Sequence, residues 1–157
     1  MGKGRAVTVL RINGQEHHID CDPDTPLAYA LRELGLKGTK IGCGLEQCGA
    51  CAVLADGRPV LSCVREVGEF DGVEITTVEG LSETTTGARV QAAFEQATAA
   101  QCGYCTAGMV IAVTGLLSEN PKPTRTEAQM ALQPHLCRCG AHPRILRAVQ
   151  IASGQAT

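Results

Sequence analysis

The chain has no tryptophan, and aromatic residues fill only 3% of its 157 positions. Any core must therefore be built from aliphatic side chains and alanine. Positive charge is not in excess: 14 Lys and Arg stand against 16 Asp and Glu, a formal net charge of −2. That balance argues against nucleic acid as a partner, because phosphate contacts need a basic face. Long apolar runs are missing too. The longest, around Ala107 to Leu117, falls well short of the roughly 20 residues of a membrane span, so no direct membrane insertion is expected. The N-terminal MGKGRAVTVL lacks a charged-then-apolar signal pattern and a twin arginine, and the sequence reads as cytoplasmic. A hydrophobic content of 44% still allows a packed core, in one ordinary domain or two small ones.

What the sequence has in plenty is cysteine, with nine residues. A disulfide framework suits a secreted chain with an even count, and neither condition is met here. Metal ligation is the other reading, and spacing decides between them.

The first half reads as strands with one helix. Two runs, 7–12 and 15–21, flank Asn13-Gly14, and two more, 52–55 and 58–61, flank Asp56-Gly57; both dipeptides are strong hairpin signals. Between the hairpins, Thr25 is placed to cap a helix, Pro26 to occupy its first position and Gly35 to end it. The glycine-rich stretch 37–51 has no apolar periodicity and reads as loop, and 73–78 as a last strand. The second half is alanine-rich and helical. Val90, Ala93, Phe94 and Ala97 form one apolar stripe, and a second helix runs from near Tyr104 to Leu117. Thr124 and Glu127 form a capping-box pair for a third helix ending before His135, and Pro143 opens a fourth. The expected class is α+β: a mixed β domain over 1–80, a linker over 81–87 and a four-helix domain over 88–157.

Cys43-x4-Cys48-x2-Cys51, followed by Cys63, has the plant-type spacing of a 2Fe-2S site. Centring the turn on Asp56-Gly57 pairs residue 51 with 62 and residue 50 with 63, which carries Cys63 back beside Cys51. An oxidised cluster with four thiolates has a formal charge of about −2, and a buried anion needs hydrogen-bond donors. Gly42, Gly44 and Gly49 are expected to let backbone N–H groups turn inward towards the sulfurs. Structural zinc prefers paired knuckles, a poorer match to three ligands in one loop.

Cys102-x2-Cys105 lies where the second helix of the latter half begins, and Cys137-x-Cys139 where the third ends. A short turn makes those helices antiparallel neighbours, so the four thiols meet at one end of the hairpin. The helix N-terminus is expected to favour thiolate at Cys102 and Cys105. Taken alone, this group reads as a second 2Fe-2S site or as tetrathiolate zinc. Cys21 belongs to neither group and is expected to be a small buried hydrophobe. His135 and His142 lie close to the second group, where four cysteines already complete a site; surface or supporting roles are expected.

With both groups in hand, the chain resembles the small subunit of the xanthine oxidase family of molybdenum hydroxylases. The motifs are GCGLEQCGAC at Gly42–Cys51, QCGYCTAGM at Gln101–Met109 and LCRCG at Leu136–Gly140. The resemblance implies a β-grasp ferredoxin domain followed by a helical domain, each with a 2Fe-2S cluster. It implies that Gln101 and Cys139 contact the molybdopterin of a large molybdenum-binding subunit, where substrate chemistry occurs. The cluster of Cys102, Cys105, Cys137 and Cys139 would then lie nearer molybdenum, and that of Cys43, Cys48, Cys51 and Cys63 nearer the next acceptor. Gln47 and the run Gly140-Ala141-His142-Pro143-Arg144 are similar to bacterial members that oxidise N-heteroaromatics or aldehydes and reduce c-type cytochromes, rather than an FAD subunit. Such complexes can act in the periplasm, exported on a partner's signal. A free-standing two-cluster ferredoxin is the alternative.

Overall fold

The computed structural model describes residues 6–155 of the chain; the first residues of the stretch read above for an export signal lie outside them. Strands β1 (Ala6–Ile12) and β2 (Gln15–Cys21) form one hairpin, and β3 (Ala52–Ala55) and β4 (Arg58–Leu61) the other. Asn13 and Gly14, like Asp56 and Gly57, all take positive φ, from 46° to 80°, the turn geometry that matches strand twist. Strand β5 (Glu74–Thr76) joins them, parallel to β1 and antiparallel to β3, in a five-stranded sheet ordered β2-β1-β5-β3-β4. Helix α1 (Leu27–Glu33) packs against this sheet through Leu27, Ala30 and Leu31. The mixed sheet with its crossing helix is a β-grasp fold, as expected.

Helix α1 does not begin as expected. Pro26 is its N-cap, not its first helical residue, and no side chain caps it. The cause is an isolated bridge between Pro26 and Glu66. Leu27 N–H donates to Arg65 C=O and Val67 N–H to Thr25 C=O, both at 2.8 Å, which holds Thr25-Pro26 extended.

Four helices follow: α2 (Thr85–Gln96), α3 (Thr106–Glu119), α4 (Arg125–Leu132) and α5 (His142–Ala152). The stretch 81–87, expected as a linker, carries the end of a 3-10 helix at Val78–Glu83 and the first turn of α2. Thr84 is the cap there, its Oγ1 accepting from Gly87 N–H at 3.0 Å. Helix α4 has the expected reciprocal box: Glu127 N–H donates to Thr124 Oγ1 at 3.2 Å, and Thr124 N–H to Glu127 Oε2 at 2.6 Å. Thr124→Ala is expected to destabilise the chain by about 1 kcal/mol, read as a lower denaturant midpoint with an unchanged slope.

Helix α3 is the apolar run 107–117, and it is buried on nearly every side, as befits a central helix. It packs against the β3–β4 hairpin as well as its sister helices. Strand β3 therefore serves two cores. Val53 points into the first, among Leu10, Leu27 and Ile75, while Ala52 and Leu54 point the other way, into the helical core with Met109 and Ile111. Alternation along a strand produces this division. Among the described residues, no helix is long and apolar enough to cross a membrane.

Candidate metal centre

All nine cysteines are unbridged thiols. Cys21 is 8% exposed and fills space in the first core. The other eight gather into the two sets expected from their spacing.

In the first set, the β3–β4 register holds as expected: Ala52 pairs with Leu61, and Ser62 N–H donates to Cys51 C=O at 3.3 Å. Cys63 returns beside Cys51, where both are buried under Ala28 of α1. The loop that bears the other thiols turns its backbone amides inward. Leu45 and Gln47 N–H both donate to Cys43 Sγ at 3.3 Å, Cys43 N–H to Cys48 Sγ at 3.4 Å, and Glu46 N–H to Cys63 Sγ at 3.4 Å. These donors are what an anionic cluster requires.

The glycines serve this loop in different ways. Gly44 and Gly49 take positive φ, 66° and 71°, as expected. Gly42 does not; a Cβ there would stand 2.7 Å from Cys48 Sγ, so space is its reason. Glu46 also takes a positive φ of 54°, which its residue type does not signal.

The electrostatics follow from these partners. Amide donation from Gln47 and Leu45 lowers the Cys43 thiol to about 7. Burial, with Cys63 beside it, pushes Cys51 up to about 12. A buried thiol of that kind gives up its proton when a cation replaces it.

In the second set, Cys102 and Cys105 precede α3, and Cys137 and Cys139 lie between α4 and α5. Cys105 is the N-cap of α3, yet its thiol is pushed up to about 11 by burial and the adjacent Cys137. The expected benefit of the helix start is outweighed there. Cys102 is lowered, chiefly by the Tyr104 amide and next by the Cys139 thiol. At Cys137 burial raises the thiol, but N–H donors led by Ala141, at 3.4 Å, bring the balance down.

Neighbouring thiols act on one another in both sets: Cys48 on Cys43 and Cys63 on Cys51 in the first; Cys139 and Cys137 on Cys102, and Cys137 and Cys102 on Cys105, in the second. Among the described residues no three His, Cys, Asp or Glu side chains are placed to hold one ion in common. Four thiols in each set supply the ligand count of a two-iron cluster, and the spacing in the first loop matches that cluster better than paired zinc knuckles.

The two sets meet. Cys43 and Cys48 share one cavity of about 290 Å³ with Cys102, Cys105 and Cys137. Leu136 N–H donates to Cys48 C=O at 3.0 Å, and Tyr104 Oη donates to Ile41 C=O at 2.6 Å. His135 is 6% exposed and lies against Gly49, so it is not a surface residue. Its burial lowers it to about 4, against a weaker opposing pull from the Gly49 backbone. His142 is half-buried at the start of α5. Gln101 and Cys102 are exposed, and Cys139 is half-buried.

Residues 10–72 match the family model described as a 2Fe-2S iron–sulfur cluster binding domain, and residues 77–150 match a second [2Fe-2S] binding domain. The chain is 40% identical to the nicotinate dehydrogenase small FeS subunit of Eubacterium barkeri, over 91% of this chain and 92% of that one. It is 42% identical to the nicotine 6-hydroxylase small subunit of Paenarthrobacter nicotinovorans, over 93% of this chain and 88% of that one. Quinoline 2-oxidoreductase from Pseudomonas putida 86 superposes with a TM-score of 0.89 at 38% identity, covering 97% of this chain and 96% of that chain. With two cluster-binding domains in this order and relatives matched nearly end to end, the chain belongs to the iron–sulfur small subunits of the xanthine oxidase family of molybdenum hydroxylases.

Proposed function

We propose that this chain relays electrons one at a time from a molybdopterin centre on a large subunit, through two 2Fe-2S clusters, to an external acceptor. The observation that carries the reading is the ring of backbone amides aimed at the first thiol set. Cys43, Cys48, Cys51 and Cys63 hold one cluster, and Cys102, Cys105, Cys137 and Cys139 the other. When bound, each cluster supplies reversible one-electron storage. The protein's part is to donate hydrogen bonds, exclude water from Cys51 and Cys63, and keep the two sets adjoining through the Leu136-to-Cys48 hydrogen bond.

Exposure supports one orientation of the relay. Gln101 and Cys102 are open to a partner, and Tyr104 and Leu136 beside them are apolar yet 50% and 63% exposed. This is the end that meets the large subunit, with Gln101 and Cys139 towards the molybdopterin. At the other set, Leu45 is 66% exposed in the cluster loop and faces the next acceptor. Relatives named for nicotinate, nicotine and quinoline favour an N-heteroaromatic substrate over an aldehyde. A c-type cytochrome is the acceptor that follows from Gln47 and the run at 140–144. That run packs at the second set, since Ala141 N–H donates to Cys137, so it marks lineage rather than acceptor contact.

Metal and sulfide analysis with EPR of the dithionite-reduced complex tests the assignment. Iron and sulfide for two clusters, two distinct signals and co-eluting molybdenum are expected. Zinc at the second set, or a single signal, would sink the two-cluster relay.

A further inference from the structure

The first loop is wedged between the two arms of the second set. Gly108 lies on α3, just after Cys105, and a Cβ there would overlap Gly49 C=O and approach Ala50 Cα to 3.2 Å. From the other side comes the segment before Cys137. A Cβ on Gly49 would collide with the His135 ring, reaching its Cγ and the Pro134 carbonyl oxygen at 2.7 Å. Gly49 and Gly108 are both buried. Helix α3 cannot slide away, because Gly115, two turns on, is seated against Pro59 and Leu54 of the β3–β4 hairpin. Close-packed contacts of this kind hold distance, since an interior at crystal-like density transmits displacement instead of absorbing it.

We infer that Gly49, gripped between Gly108 and the His135 ring, is the spacer that sets the separation and orientation of the two cysteine sets, and with them the rate of electron passage between the clusters. The inference rests on the two-cluster reading above. The step itself makes or breaks no bond: one cluster is oxidised by one electron as the other is reduced, the electron having come from substrate oxidation on the large subunit. Gly108 and His135 act here as positioning residues. His135 is suited to the task as a flat, rigid ring filling the space over Gly49.

Gly108→Ala and His135→Ala, each in the intact chain with its large subunit, test this; His135→Phe restores a ring without nitrogen. Three readouts are taken: iron content, the magnetic splitting between the two reduced signals at low temperature, and the delay between their appearance after rapid mixing with reductant. Gly108→Ala and His135→Ala are expected to change the splitting and lengthen the delay several-fold, with His135→Phe close to the unaltered protein. Loss of the first cluster alone in Gly108→Ala also supports the clamp, because the substituted residue belongs to the other domain. Full iron with unaltered splitting and delay in both alanine variants would overturn it. If the unaltered protein itself lacks two clusters, it is the relay that fails instead.

Discussion

Cys63→Ala is expected to halve the iron and sulfide of the protein and to abolish one of two EPR signals while sparing the other. Cys63 is the lone thiol that its set draws from the returning strand, and it is 4% exposed. Glu46 N–H donates to its sulfur, and Cys51 lies next to it. Alanine removes the sulfur and leaves that amide and the raised Cys51 thiol without their partner. Cys21, which belongs to neither set, is enclosed in the first core and cannot take the place of Cys63. The control is Cys21→Ala, expected to keep all iron and to cost about 1 kcal/mol of stability through packing. Full iron in the Cys63 variant would remove Cys63 from the ligand set.

Gly49→Ala is expected to lower stability strongly for a change of one methyl group. Two costs combine at that position. The backbone there has φ +71°, which a residue with a side chain adopts at a cost of about 1–2 kcal/mol. The new methyl also meets the His135 ring and the Pro134 carbonyl, and overpacking of this kind costs about 1–3 kcal/mol more. Together they are expected to lower the melting temperature by on the order of 10 °C in a domain of this size. Gly44→Ala separates the two effects. Its φ is +66°, but a Cβ there meets nothing within 4 Å, so only the backbone cost applies. Thermal unfolding of both variants should therefore place Gly44→Ala between the unaltered protein and Gly49→Ala; equal losses would mean that crowding at His135 is immaterial.

Features fixed by neighbours along the chain are legible in the amino-acid sequence. Asn13-Gly14 and Asp56-Gly57 set their turns and strand registers, and the second register returns Cys63 to Cys51. Thr124 and Glu127 announce the start of α4. The cysteine spacings announce both thiol sets, because ligands must fall on fixed loop positions. Features fixed by distant residues are hidden. Pro26 has the local marks of a first helical residue, but its bridge to Glu66 holds it extended. Strand β3 has four residues, too few for periodicity to reveal a strand buried on both faces. His135 has the sequence marks of an accessory, because nothing local shows that Gly49 packs against it. Its only sequence signal is proximity to Cys137.

The two-faced strand has a consequence for how the protein can be divided. Family models split the chain between residues 72 and 77, as though each half were a portable module. The hydrophobic floor of the helical half is nevertheless on loan from the other half, in Ala52 and Leu54. A cut at the boundary would strip that floor from one piece and lay bare a short apolar ribbon on the other, the kind of surface that seeks another chain. Two family models tell the halves apart, but they share one packed core, and neither is expected to keep its fold without the other.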